Sequence, residues 1–216
     1  PSDLCNSEIF ASIAAGKLLY IPELKTWHYH NGEKWIADRQ RIEVEKVCVQ
    51  VIQTLYAMSG SASTEAERKM YAAWALKTED EKKRRDMVSG AERISALIKP
   101  LAEFDTNLWE FACKNGIIDL KTGKLRPHKP EDYILKISPV TYDPDAECPL
   151  WEKTLNLFFQ NQQSIIEYVQ KLFGYTITGI KNERLIVYFY GEGRNGKSTI
   201  TGIPLYIFGD YGRAAD

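Results

Sequence analysis

The chain has 216 residues, 44% hydrophobic and 26% charged, a balance that excludes wholesale disorder and supports a sizeable core. Its 28 Lys and Arg against 29 Asp and Glu leave a net charge of −1, which excludes a uniformly basic nucleic-acid sleeve but not a local patch. No apolar run reaches the ~18 residues of a membrane-spanning helix, and no charged-then-apolar leader follows Pro1, so neither a membrane anchor nor a secretory signal is expected.

The predicted elements begin with a short helix over Ser7–Gly16, with Ile9, Phe10 and Ile13 on one face. Asn31-Gly32, flanked by aromatic-rich runs from Trp27 to Ile36, is a strong hairpin signal. Pairing outward from that dipeptide puts Trp27, Tyr29, Lys34 and Ile36 on one face and His28, His30, Glu33 and Trp35 on the other. Val44, Val47, Val51, Ile52 and Leu55 predict an amphipathic helix over Asp38–Ser59. Thr64 and Glu67 form a capping-box pair for the next helix, which carries Met70, Tyr71 and Trp74. The charge-balanced run Glu79–Asp86 reads as a solvated helix face, and a further helix is expected over Ser89–Ala102, broken near Pro100.

Asn115–Leu125 predicts a second hairpin turning at Thr122-Gly123. Lys121-Thr122-Gly123-Lys124 lacks the upstream glycine of a phosphate loop. Five prolines between Arg126 and Pro149 predict an extended connection and a domain boundary. Two short helices follow, one striped by Trp151, Leu155, Phe158 and Phe159, the other by Ile165, Ile166, Val169, Leu172 and Phe173, with Gly174 as its C-cap. Arg184–Tyr190, β-branched and aromatic throughout, predicts a strand buried on both faces, as in a parallel sheet.

Directly after it, Gly191-Glu192-Gly193-Arg194-Asn195-Gly196-Lys197-Ser198 matches G-x-x-x-x-G-K-[ST], the P-loop. Glycines let the backbone turn its N–H groups toward a phosphate, and the following helix presents its positive end to the same anion. In this pattern Lys197 reaches the β- and γ-phosphates of ATP, Ser198 holds Mg2+, and Thr199 lies near the α-phosphate. Gly202 and Pro204 lie inside the phosphate helix, where proline costs about 3 kcal/mol in a regular turn. Hydrolysis further requires a carboxylate on a neighbouring strand, a sensor and usually an arginine finger. Only 18 residues follow Ser198, so the expectation is a fragment of a longer protein with a truncated motor domain.

Other groups have two readings each. His28, His30 and Glu33 share a hairpin face and are metal-ligand candidates, or simply hairpin residues. Trp27, Tyr29 and Trp35 suit core packing or stacking on single-stranded bases. Lys181, Arg184 and Arg194 suit a basic rim near the nucleotide or plain solvation. Cys5, Cys48, Cys113 and Cys148 include no C-x-x-C pair, so no structural zinc is expected, and idle thiols in a reducing cytosol account for them.

The P-loop with Phe208-Gly209-Asp210-Tyr211 resembles superfamily 3 helicases of phage and plasmid primase–helicase proteins. Upstream, Asn115-Gly116-Ile117-Ile118-Asp119-Leu120, Pro127-His128, Tyr142-Asp143-Pro144, Cys148-Pro149-Leu150-Trp151 and Leu172-Phe173-Gly174-Tyr175 resemble the poxvirus-type primase–helicase N-terminal domain. The resemblance implies an α+β N-terminal domain over 1–149, a helical connection over 150–180, and the truncated start of a P-loop α/β (AAA+-like) domain over 181–216. It further implies an ATP-driven DNA helicase, a hexameric ring when complete, in a bacterial host's cytoplasm. The competing expectation is a non-catalytic DNA-binding or oligomerisation module with an idle P-loop remnant; a P-loop kinase is a third.

Overall fold

The computed structural model describes residues 2–193 and 195–213. Among them are seven α-helices and two three-stranded antiparallel sheets, an α+β arrangement. The chain divides into two compact units, Pro1–Phe104 and Asp105–Asp216.

In the first unit, α1 (Asp3–Ala14) starts at Ser2, whose hydroxyl oxygen accepts the Cys5 amide at 3.2 Å. Strands β1 (Leu18–Ile21), β2 (Thr26–His30) and β3 (Trp35–Ala37) form one sheet in that order. The expected hairpin is present, but its register differs. Asn31 Oδ1 accepts the amides of Glu33 at 3.0 Å and Lys34 at 2.8 Å, which widens the loop to Asn31–Lys34. His30 therefore faces Trp35 and Tyr29 faces Ile36. A slip of two residues preserves which side chains share a face, because strand side chains alternate with period two.

Helix α2 (Ile42–Ser61) begins after Arg41, which sits at φ +58°. Its free amides are met from outside the helix: the Asp38 carboxylate accepts from Ile42 and Val44, both at 2.9 Å. Helix α3 (Glu65–Thr78) carries the expected capping box at Thr64 and Glu67. Helix α4 (Glu81–Ala91) absorbs the charged run, capped by Asp80. Lys83 pairs with Asp3, Arg84 with Glu45 and Arg85 with Glu81. The predicted helix over Ser89–Ala102 does not form: α4 ends at Ala91, and two single 3-10 turns follow at Ser95–Leu97 and Leu101–Glu103. Pro100 has no N–H and drives Lys99 toward extended backbone. The Lys99 amide then donates to the Tyr20 carbonyl at 3.0 Å, and Ile98 bridges to Tyr20 in β1.

The core of this unit joins Phe10 of α1, Leu18 and Trp27 of the sheet, Val44, Val51 and Leu55 of α2, and Met87 and Val88 of α4. A buried polar link crosses it. Trp74 Nε1 donates to Asn6 Oδ1 at 2.9 Å, and Asn6 Nδ2 donates to Thr78 Oγ1 at 3.1 Å. Polar groups paired this way tie α1 to α3, their hydrogen bonds offsetting the cost of leaving water.

The second unit is built on β4 (Glu110–Cys113), β5 (Gly116–Asp119) and β6 (Leu125–Arg126). The Asp119 carboxylate accepts the amides of Lys121 and Thr122, and these bonds hold it below the usual carboxylate range. Arg126 makes a two-pronged contact with Glu110, both at 3.0 Å, and a third bond to Asp132 at 2.9 Å. Burial alone would raise the Asp132 carboxyl, but Arg126 and the Lys129 amide outweigh it and hold it down. After an extended connection come α5 (Pro149–Phe158), α6 (Gln163–Ile177) and α7 (Lys197–Phe208).

Two further expectations are corrected here. Gly174 is not a C-cap: α6 runs on to Ile177, and the extended Thr178 ends it, with its hydroxyl donating to the Tyr175 carbonyl. Arg184–Tyr190 is not a buried strand, for it lies outside both sheets; Ile186 and Tyr188 are 80% exposed and Tyr190 is 92% exposed. A strand exists only where a neighbour takes its N–H and C=O groups, and among the described residues none lies beside this run.

Two stability predictions follow from the first unit. Asp38→Ala leaves two amides of α2 unmet and is expected to cost about 1–2 kcal/mol, read as a lower urea midpoint at unchanged slope. His28 is buried, and desolvation lowers its pKa below 6.5, partly opposed by its contact with the Thr26 carbonyl. Below pH 6.5 the unfolded chain takes up a proton that the folded chain refuses. Stability therefore falls as pH drops from 6.5 toward the lowered folded value, then levels off. His28→Gln should flatten this slope in thermal melts; an unchanged slope would refute the assignment.

Candidate nucleotide loop

The loop before α7 needs positive φ twice, at Gly191 (+147°) and Gly196 (+83°). A side chain at Gly196 would also collide with the ring of Phe158, which packs on the loop from the end of α5. The first helical bond of α7 runs from the Ile200 amide to the Gly196 carbonyl at 3.0 Å. Ser198 and Thr199 are exposed in the first turn, while Ile200 and Pro204 are buried. Helix α7 continues through Pro204 to Phe208, so the first turn, the part a phosphate would meet, stands before the missing donor.

Lys197 turns back into its own loop. Its ammonium donates to the Gly191 carbonyl at 2.9 Å, the Glu192 carbonyl at 3.0 Å and Asn195 Oδ1 at 2.8 Å. The structure thus brings together Gly191, Glu192, Asn195, Gly196 and Lys197. Gly193 is exposed, and Arg194 lies outside the described residues. Lys181 and Arg184 are solvent-exposed.

The far end of α7 is latched onto the sheet, a feature the sequence motifs did not reveal. Gly209 turns at φ +52° against Pro139, where a side chain would collide. Asp210 then binds Ile137 twice: its amide donates to the Ile137 carbonyl at 3.2 Å, and its carboxylate accepts the Ile137 amide at 3.1 Å. The Tyr211 hydroxyl accepts the Ala112 amide of β4 at 3.3 Å, with its ring 4.9 Å from that of Phe111. Burial raises the Tyr211 phenol above its usual value. The Ser138 hydroxyl donates to the Ile207 carbonyl. Phe208-Gly209-Asp210-Tyr211 carried the resemblance; its latch role becomes visible only once residues far upstream in the chain, from Phe111 to Pro139, are in contact.

The hairpin candidates resolve as packing. Trp27 and Trp35 are buried, Trp27 against Phe10 at 5.6 Å and Trp35 against His30 at 5.5 Å. His28 Nδ1 contacts the Thr26 carbonyl at 3.2 Å, and His30 Nδ1 accepts the Gly32 amide at 3.1 Å. Among the described residues no group of three or more His, Cys, Asp or Glu is placed to hold a metal ion. All four cysteines are free; burial pushes the thiol of Cys48 up to about 12 and that of Cys113 up to about 11, which keeps both in the unreactive thiol form.

Residues 7–160 match the family described as D5 N terminal like, and the chain belongs to it. It is also similar to an Acanthamoeba polyphaga mimivirus protein named "Putative helicase L207/L206", at 29% identity over 119 residues. That alignment covers 54% of this chain and 12% of the viral protein's length. No described helix is long and apolar enough to cross a membrane.

The latch predicts a local, measurable effect. Asp210→Ala removes the acceptor of the Ile137 amide, so exchange of that amide with deuterium should speed by roughly tenfold, the equivalent of one hydrogen bond of ~1 kcal/mol or slightly more. Unchanged exchange would show that α7 is held by other contacts.

Proposed function

We propose that this chain is part of a DNA-replication primase–helicase whose loop Gly191–Ser198 binds Mg2+–ATP. The observation that supports it is the pairing, in one chain, of a D5 N terminal like domain with a G-x-x-x-x-G-K-S loop opening a helix. The residues present suit the group: two positive-φ glycines, an inward-facing lysine, and exposed Ser198 and Thr199 in the first turn. Lys197 would neutralise phosphate charge, Ser198 would hold Mg2+, and Thr199 would lie near the α-phosphate, with the backbone of Gly191, Glu192, Gly193, Arg194, Asn195 and Gly196 around the phosphates. ATP supplies the phosphoryl bond whose hydrolysis drives unwinding in the whole protein.

In this reading residues 1–149 precede the motor, 150–180 connect to it, and 181–216 begin its P-loop α/β domain. The whole protein works as a homo-oligomer, a hexameric ring on single-stranded or forked DNA in a bacterial host's cytoplasm. The exposed run Leu185–Tyr190 favours a second reading: a non-catalytic DNA-binding or oligomerisation module whose P-loop is idle.

The test uses the full-length protein. DNA-stimulated ATP hydrolysis is expected, and Lys197→Ala should lower it by roughly 100-fold or more, the scale of losing one charge-stabilising group. Equal rates for the two proteins would remove the motor assignment and leave the second reading.

A further inference from the structure

The side chain of Asn195 has a place in this loop that its backbone does not account for. An ammonium has three protons, and in this loop all three of Lys197's are engaged by Gly191 O, Glu192 O and Asn195 Oδ1. Two of these acceptors are backbone carbonyls that any residue would supply. Asn195 Oδ1 is the one side-chain acceptor of the three. The amide's other end is also placed: a Cβ built on Gly191 would collide with Asn195 Nδ2 and lie 4.0 Å from Lys197 Nζ. The Asn195 side chain therefore crosses the mouth of the loop, with its nitrogen against Gly191 and its oxygen on Lys197.

We infer that Asn195 is a positioning residue that clamps Lys197 into the nucleotide-free loop and competes with the phosphates for it. This rests on the loop being the nucleotide site proposed above. A phosphate oxygen can bind Lys197 only by replacing at least one of the three acceptors. The bond easiest to release is that to Asn195, because its side chain is exposed and can rotate away, whereas the carbonyls of Gly191 and Glu192 belong to the loop backbone. The clamp has two consequences. It keeps the ammonium inside the loop when no anion balances it, and it sets how much of the phosphate contact appears as affinity. Asn195 touches Lys197 and not a reacting atom, so substitution should move affinity and lysine accessibility together and leave the fold alone.

The test compares the chain with Asn195→Ala and Asn195→Asp, each confirmed folded by its circular dichroism spectrum. The first readout needs no nucleotide. Amine acetylation of Lys197, quantified by peptide mass spectrometry against the exposed Lys181, reports release of the ammonium. Asn195→Ala should speed it by roughly three- to tenfold, the equivalent of one charge-assisted bond partly replaced by water, and Asn195→Asp should slow it. The second readout is Mg2+–ATP titration by calorimetry. Asn195→Ala should tighten binding by a similar factor, and Asn195→Asp should weaken it. Equal acetylation of the chain and Asn195→Ala overturns the clamp, whatever the titration shows. Altered acetylation with no Mg2+–ATP binding by any of the three proteins overturns the nucleotide reading and the competition with it. Altered acetylation with weaker binding by Asn195→Ala overturns competition and makes Asn195 a nucleotide ligand instead.

Discussion

Asp210 takes the Ile137 amide with its carboxylate and gives its own amide to the Ile137 carbonyl, while Tyr211 caps the Ala112 amide. A helix has unmet amides at one end and unmet carbonyls at the other, and neither end can be buried without partners. Helix α7 meets this constraint asymmetrically. Its C-terminal end turns sharply at Gly209 and is fastened to the β4–β5–β6 unit by Asp210 and Tyr211 in succession. Its N-terminal end closes on its own loop through Lys197, with the ring of Phe158 against Gly196. One end is thereby held by distant backbone, and at the other the Lys197 ammonium is taken up by the loop that precedes the helix.

The same constraint organises the first unit. Asp38 reaches from beyond the first turn of α2 to its amides, Thr64 and Glu67 close the start of α3, and Asp80 starts α4. Each is an acid or hydroxyl at the positive end of a helix, where partial charges favour it. The salt bridges along α4 add little by comparison, since exposed pairs contribute at most about 1 kcal/mol each. Burial of Phe10, Leu18, Val51, Leu55 and Met87 supplies the cohesion; the caps decide where each helix begins.

Much of this was legible in order along the chain. Thr64 with Glu67, the valine spacing of α2, and the Asn31-Gly32 and Thr122-Gly123 turns all carry local chemistry, and each element formed. The failures have separate physical causes. The expected helix past Ser89 lost to a long-range bond, the Lys99 amide to the Tyr20 carbonyl. Arg184–Tyr190 has strand composition but, among the described residues, no strand beside it. Gly174 marked an end that α6 does not use, because the body of a helix tolerates a glycine at moderate cost. At the loop, the glycine and lysine spacing was readable, but the hold of Asn195 on Lys197 was not.

The sequence by itself determined the capping-box start of α3, the places of the two hairpins and the eight-residue P-loop pattern, since each depends on neighbours within a few positions. Only the tertiary structure decided the hairpin register, the latch of Asp210 and Tyr211 on residues 137 and 112, the packing of Phe158 on Gly196, and the place of residues 184–190 outside both described sheets. These depend on which distant backbone groups are left without partners once the helices and turns have formed, and no local pattern encodes that remainder.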